Sequence, residues 1–196
     1  MFINHHEPLI GAELPERKAL AMAEYSSVAS GMVALDAITK TADVEILSAK
    51  IICPGKYIVL FYGSIGAVNA SLDAALNIAT VIDYFMLGSP HPDIYHALKS
   101  QTTIFEKNAL GLIETFSGAS AISAADRAAK TAFVHLINIT LSNGMCGKSV
   151  VLITGEVAAV SAALEAASNE AAAKSMLLDT ALIPNPSDEM IKALMM

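Results

Sequence analysis

The chain has 196 residues, 54% of them hydrophobic, and a formal net charge of −7 at pH 7. Its mean hydropathy of +0.53 is high, but the longest uncharged stretch is shorter than the roughly 20 residues of a membrane-spanning helix. The acidic balance argues against nucleic acid, which requires a basic surface. Two cysteines without a secretory leader indicate a reducing cytoplasm. We therefore expect a cytoplasmic protein with large subunit contacts and no membrane or nucleic-acid partner.

The pattern of apolar residues, prolines and glycines predicts an extension followed by alternating strands and helices. Residues 1–18 lack clean periodicity and are interpreted as an N-terminal extension. The elements predicted in the first half are a strand over 18–24, a helix from Ser26 or Ser27 to Lys40, a strand over 44–52, a strand over 57–62, a helix over 65–79, a strand over 80–87 and a short helix near 93–99. Cys53 lies at the tip of the turn between the second and third strands, where Pro54 and Gly55 favour a defined shape.

The same order recurs in the second half, which indicates a duplicated domain. Each matched residue of the second half lies 90 positions after its counterpart up to the Cys53 turn, 92 positions after it beyond the turn, and 94 positions after it near the end. Matched pairs at these three offsets are Glu24 with Glu114, Lys40 with Lys130, Gly55 with Gly147, Lys56 with Lys148, and Pro90-x-Pro92 with Pro184-x-Pro186. We therefore predict two tandem copies, 19–108 and 109–196.

Each predicted copy has four strands, which we expect to form one sheet, and helices that we expect to cover one face of that sheet. The expected fold is α/β (α+β), with a four-stranded sheet and helices on one face in each copy. At about 90 residues, a copy is small enough that burial between the copies should contribute to stability.

Three stretches carry a resemblance to a known family. Residues 27–40, 51–57 and 114–130, with the Pro-x-Pro turn ending each half, are similar to the shell-forming BMC domain of bacterial microcompartments. The pair of copies resembles the tandem-domain shell proteins of these compartments, those of propanediol utilisation among them. The resemblance implies a homotrimer whose six domains form a pseudo-hexameric tile, located in a microcompartment shell in the cytoplasm.

The resemblance also implies a site at the centre of that tile. Its pore-lining residues would be Ile52, Cys53, Pro54 and Gly55 from the first copy, and Asn143, Gly144, Met145 and Cys146 from the second. The relatives imply a [4Fe-4S] cluster on the threefold axis, held by Cys53 of each subunit, for electron transfer across the shell. A four-iron cluster ordinarily takes four cysteines, so one cysteine per chain suffices only in a trimer. Cys146 could add thiols near the pore or be a packing group.

A second set of residues resembles the edge of the family's tiles. Lys40 and Lys130 correspond to a lysine at the contact between neighbouring tiles, and each could also pair with the aspartate four residues before it. The family often has Arg between its two prolines, where this chain has His91 and Asn185. The partners implied are other shell proteins and an encapsulated redox enzyme.

Several functions remain open at this stage. The redox tile is one, and a tile with a thiol-lined pore for metabolites and no cluster is the alternative. No nucleophile–base motif, phosphate loop or zinc spacing indicates an enzyme. A small regulatory protein that binds effectors between subunits would stop at a defined oligomer, whereas tiles would extend into sheets.

Overall fold

The computed structural model describes residues 18–78, 81–99, 108–142 and 144–194. Asn143 and the predicted N-terminal extension, apart from Lys18, lie outside the described residues. The predicted order of strands and helices is confirmed in both halves of the chain.

The two halves contain the same seven elements in the same order. The first half consists of β1 (Ala19–Tyr25), α1 (Val28–Thr41), β2 (Val44–Ile52), β3 (Lys56–Gly63), α2 (Ile65–Leu76), β4 (Val81–Leu87) and α3 (Pro92–Leu98). The second half consists of β5 (Ala109–Thr115), α4 (Gly118–Thr131), β6 (Val134–Leu141), β7 (Ser149–Gly155), α5 (Val157–Ala173), β8 (Leu177–Pro184) and α6 (Asp188–Leu194).

Each half folds into one antiparallel four-stranded sheet, as the sequence predicted. The strand order is β2-β3-β1-β4 in the first sheet and β6-β7-β5-β8 in the second. Side chains alternate between the two faces of a strand. In the first sheet, Ala21, Ala23 and Tyr25 of β1 therefore share the face that packs on α1 and α2. The Tyr25 hydroxyl donates to the Ala75 carbonyl, 3.1 Å away, and joins β1 to α2.

The opposite face of the first sheet packs against the second half of the chain. Leu20 and Met22 of β1 and Phe85 of β4 belong to one apolar cluster with Ile122 and other α4 residues. Helix α4 also packs on its own sheet through β5, β6 and β7. It therefore lies between the two sheets, and most of its residues are buried. We call this contact between β1, β4 and α4 the internal junction.

The duplication is confirmed, but one of its offsets is wrong. The offsets of 90 and 92 agree with the strand registers, since Glu24 opposes Ile58 as Glu114 opposes Val150. Near the end, Glu24 opposes Asp83 whereas Glu114 opposes Asp179, which gives an offset of 96 rather than 94.

The extra residues are in α5, which has 17 residues where α2 has 12. Helix α2 was predicted to reach residue 79 but ends at Leu76. The Asn77 amide nitrogen donates to the Ala74 carbonyl in a tight last turn, and the Asn77 side chain donates to the Asp73 carbonyl. The structural counterpart of Pro90 is consequently Pro186, and that of His91 is Ser187 rather than Asn185.

None of the helices in the described ranges is long and apolar enough to cross a membrane.

Candidate functional site

The first predicted pore segment is a three-residue turn between β2 and β3. Cys53 is exposed and its thiol is free. The Gly55 amide donates to the Ile52 carbonyl at 2.9 Å, and Gly55 has a φ of 95°, which favours glycine. The antiparallel pairing of β2 with β3 therefore holds the thiol at a fixed tip.

Ile52 does not belong to that exposed tip. Its side chain is only 3% exposed and packs in the core that both halves share. The prediction that Ile52 lines a pore is corrected accordingly. As the last residue of β2, it lies on the core face of the strand and anchors the turn.

The second predicted pore segment is longer, as expected from the two-residue slip. It connects β6 to β7, and the Ser142 hydroxyl donates across it to the Gly147 carbonyl at 3.0 Å. Gly144 and Cys146 are exposed, and Met145 is half-buried. Cys146 has a φ of 50°, which a proline such as its counterpart Pro54 could not adopt, so the two turns differ in shape.

The two turns meet at one end of the molecule. A methyl group placed on Gly147 would lie 3.0 Å from Nζ of Lys56 and 3.4 Å from the carbonyl oxygen of Cys53. The absence of a side chain at Gly147 thus lets the Cys53 turn approach the second-copy turn. The structure therefore brings the Cys53 turn of the first copy against Gly147 in the second-copy turn, with Lys56 beside them.

Lys56 connects these turns to a buried carboxylate that the sequence analysis missed. Glu24 is fully buried, and its Oε1 accepts a hydrogen bond from Lys56 Nζ at 2.8 Å. Its Oε2 accepts from the Gly118 amide at 2.9 Å, at the start of α4. A carboxylate is stabilised there by the ammonium group and by the positive end of the helix dipole.

Asp83 of β4 forms a second buried contact at the start of α4. Its Oδ2 accepts from the hydroxyl of Ser117 and, at 2.6 Å, from that of Ser120. Nζ of Lys174 lies 3.3 Å from the other oxygen. The available signal was that both positions repeat at the offset of 90, as Glu24 with Glu114 and as Ser27 with Ser117, although an apolar core requires neither polar residue.

Burial also changes the titration of residues around the Cys53 turn. Desolvation lowers the pKa of Lys50, which precedes Cys53 by three residues, and raises the pKa of Tyr57. In both cases the apolar surroundings disfavour the charged form.

The residues predicted to form the tile edge lie in unequal environments. Lys130 donates to Asp126 and to the Ser89 carbonyl, both at 2.6 Å, and the other Asp126 oxygen accepts from the His91 amide at 2.7 Å. Lys130 and His91 thus meet where the two copies join. Among the described residues, Lys40 pairs with Asp36 alone, at 2.7 Å on the surface. The predicted pairing of each lysine with the aspartate four residues earlier is confirmed, and the contact between tiles stays a prediction.

Asn185 lies elsewhere. It follows β8 with a φ of 51°, and its amide donates to the Asn108 carbonyl at 2.8 Å. This contact closes the second copy at the start of β5.

One chain alone does not provide a metal site within the described ranges. No three His, Cys, Asp or Glu side chains there are grouped so that they could hold an ion. One chain offers one exposed thiol in the Cys53 turn, and a four-iron cluster ordinarily takes four cysteines. Such a cluster would fit only where several copies of the Cys53 turn meet.

Comparison with known proteins agrees with the fold. The sequence model of the BMC domain matches residues 19–90 and 109–186. The bacterial microcompartment shell protein PduT of Citrobacter freundii is 34% identical over 175 residues, which cover 88% of this chain and 95% of PduT.

Two solved structures are also similar. The crystal structure of a microcompartment protein from Desulfitobacterium hafniense DCB is 42% identical, with a TM-score of 0.79 over 89% of this chain and 98% of that one. The fused permuted hexameric shell protein of the RMM microcompartment is 21% identical, with a TM-score of 0.64 over 84% of this chain and 86% of its own, and shares the fold. The two domain matches and the identity to PduT establish that this chain belongs to the BMC-domain family of bacterial microcompartment shell proteins and carries the domain twice.

Proposed function

We propose that the chain is a structural tile of a microcompartment shell, and that three chains form a ring with the Cys53 turns at its centre. The observation that carries this proposal is the meeting of the two turns beside the internal junction. If each chain joins the next as its own halves join, all six turns gather around one axis. The tile would lie in a compartment shell in the bacterial cytoplasm, next to other shell proteins.

The way in which the halves join supports a ring. The internal junction is heterologous, because a sheet face of one copy meets a helix of the other. A heterologous contact that repeats between chains forms either a closed ring or an open filament. Six domains around one axis would correspond to three chains. The resemblance to tandem-domain shell proteins favours that closed number.

For the centre of the ring we propose a [4Fe-4S] cluster ligated by Cys53 of each subunit. Three thiolates would hold three irons, and the fourth iron would take water or a small ligand. Such a cluster supplies one-electron transfer, here between the lumen and the outside, with an encapsulated redox enzyme as the electron partner. This chain's contribution is to hold the free thiol on an exposed turn of fixed shape.

The alternative is a tile whose pore passes a metabolite and in which Cys53 only lines the opening. This alternative needs only an exposed, free thiol at the tip of the turn, which is the state of Cys53 in one chain. In both cases the protein is structural rather than catalytic.

The experiment that separates them is anaerobic reconstitution with iron and sulfide, followed by an iron count and EPR. The redox tile requires about four irons per three chains and a cluster signal that Cys53→Ser abolishes while the oligomer persists. Cys146→Ser is the matched control and should keep the cluster. An intact oligomer without iron would exclude the redox tile and leave the metabolite pore.

A further inference from the structure

The internal junction joins a face of the first sheet to helix α4. Within one chain, the equivalent helix, α1, and the equivalent face of the second sheet have no such partner among the described residues. In the junction, Ile122 and Ser123 of α4 are 0% and 6% exposed against the first sheet. Their counterparts on α1, Met32 and Val33, are 57% and 56% exposed. Helix α1 therefore presents an apolar face that nothing in the described chain covers.

The second sheet has the complementary uncovered face. Phe85 of β4 is buried against α4, while its counterpart Ala181 of β8 is exposed. On the same face of the sheet, Leu112 of β5 is half-buried, whereas its counterpart Met22 is fully buried against α4. The sheet face equivalent to the one that receives α4 is thus uncovered, and so is the helix equivalent to α4.

Polar groups at the uncovered sheet face repeat those of the internal junction. Glu114 and Lys148 correspond to Glu24 and Lys56 by strand register. Glu24 is buried and bound by Lys56 and the Gly118 amide. Glu114 and Lys148 are half-buried, and neither forms a hydrogen bond or ion pair within the described residues.

Asp179 of the second sheet likewise lacks the helix partners that its counterpart Asp83 has. Oδ1 of Asp179 accepts from the Thr180 amide at 2.8 Å, as Oδ1 of Asp83 accepts from the Tyr84 amide at 2.8 Å. Oδ2 of Asp83 also receives two hydroxyls from α4, whereas Asp179 is exposed. Ser27, the cap of α1, has no side-chain capping bond.

From these matched halves we infer that the second-sheet face of one chain binds the N-terminal turn of α1 of the next copy of this chain. Glu114 accepts the Val28 amide of the next copy, and Lys148 bridges Glu114 and the Ser26 carbonyl. Asp179 accepts the hydroxyls of Ser27 and Ser30. We call this contact the open joint. The inference rests on the proposed ring and specifies which groups close it.

Side-chain size agrees with this pairing. At the internal junction, a methyl group on Gly118 would lie 3.0 Å from the terminal Cε of Met22. In the open joint the counterpart of Gly118 is Val28, and that of Met22 is Leu112. Leucine ends at Cδ and lacks the Cε atom that lies closest to Gly118 in the internal junction, so the larger residue on the helix faces a shorter one on the strand.

The open joint has one cation fewer than the internal junction. Lys174, which reaches Asp83 from the end of α5, lies in the extra turn that α2 lacks. In the open joint, Asp179 is therefore bound by the hydroxyls of Ser27 and Ser30 without an ammonium group. This difference makes the joint between chains the weaker of the two contacts.

The first test compares two acidic residues that carry the same charge. Glu114→Ala removes the acceptor of the open joint, and Glu165→Ala removes an exposed carboxylate from α5. Sedimentation over a dilution series gives the concentration of half-dissociation. We expect Glu114→Ala to raise it by about tenfold or more, the ratio expected for one hydrogen bond to a charged group, and Glu165→Ala to change it less than about twofold.

Two results would overturn different parts of the account. If the wild-type chain assembles and Glu114→Ala dissociates at the wild-type concentration, the open joint is wrong although the tile stands. If the wild-type chain forms no closed oligomer, the proposed function itself fails.

Cross-linking supplies a second test that does not depend on the stability of Glu114→Ala. In a Cys53→Ser/Cys146→Ser background, chains with Ser27→Cys are mixed with chains with Asp179→Cys and treated with a short thiol cross-linker. Because the joint is heterologous, the mixture should give linked pairs and each variant alone should give none. An assembled mixture that does not cross-link would overturn the inference.

Discussion

Helices α1 and α4 occupy the same place in two copies of one domain, yet they have opposite surroundings. Helix α4 lies between two sheets and most of its residues are buried, whereas α1 covers one sheet and exposes Met32 and Val33. The local fold is the same in both. The difference teaches that the burial of the second face of such a helix depends on a neighbouring domain, which only α4 has within one chain.

The largest expected effect distinguishes Glu24, which binds the start of α4, from its counterpart Glu114 on β5. Glu24→Ala leaves Lys56 and the Gly118 amide without their buried acceptor, so the free energy of unfolding should fall by about 3–5 kcal/mol. Glu114→Ala, measured by urea unfolding at a dilution where chains are separate, should change it by less than about 0.5 kcal/mol. Equal losses in the two variants would show that the copies are energetically equivalent within one chain.

The next effect concerns how closely α1 approaches its own sheet. A methyl group on Gly31 would lie 2.4 Å from Cδ1 of Tyr57, so Gly31→Ala should lower the unfolding free energy by about 1–3 kcal/mol. In the second copy, Ala121 stands in place of Gly31 and Ser149 in place of Tyr57, so a larger helix residue faces a smaller strand residue.

The matched control for Gly31→Ala is Gly66→Ala. Gly66 is exposed in α2, and a methyl group placed on it would have no other atom within 4 Å. Here the unfolding free energy should rise by up to about 1 kcal/mol, because alanine favours the helix more than glycine does. A loss at Gly66 comparable to that at Gly31 would indicate a general backbone effect instead of the Tyr57 contact.

A smaller effect compares the two helix caps. Ser117 Oγ accepts from the Ser120 amide at 3.0 Å and donates to Asp83, so Ser117→Ala should cost about 1–2 kcal/mol in thermal or urea unfolding. Ser27 makes no side-chain capping bond in one chain, and Ser27→Ala should change the separate chain by less than about 0.5 kcal/mol. A large loss for Ser27→Ala in the monomer would contradict the unequal environments.

The smallest effect is expected for the surface lysines. Lys40 forms an exposed ion pair with Asp36, so Lys40→Ala should alter the unfolding free energy by less than about 0.5 kcal/mol. Lys130→Ala also loses the bond to the Ser89 carbonyl and should cost about 1 kcal/mol. We further expect Lys40→Ala to weaken sheet formation, seen by electron microscopy, more than it weakens the ring. Unchanged sheets would assign Lys40 to the helix end alone.

The sequence predicted the two sheets, their helices and the Cys53 turn because these depend on local pattern. Pro54 and Gly55 mark the turn, and matched residues at fixed offsets reveal the duplication. The resemblance to tandem BMC shell proteins was likewise confirmed.

The sequence could not predict the internal junction. Periodicity identifies which face of a strand is apolar but not which element covers it, so Glu24 and Asp83 could not be assigned to α4. The extra turn of α5 was hidden because it is Ala-rich, and such residues favour a helix without marking its end. As a result, the sequence comparison paired Pro90 with Pro184, which lies two residues before its structural counterpart Pro186.

The central claim is that the contact within one chain repeats between chains until a ring closes. Native mass spectrometry of the wild-type chain, at a concentration well above that of the separate-chain unfolding experiments, tests it most directly. The account predicts a single closed species at three times the 20.5 kDa mass of one chain. A monomer, or a ladder of oligomers without a closed species, would contradict it.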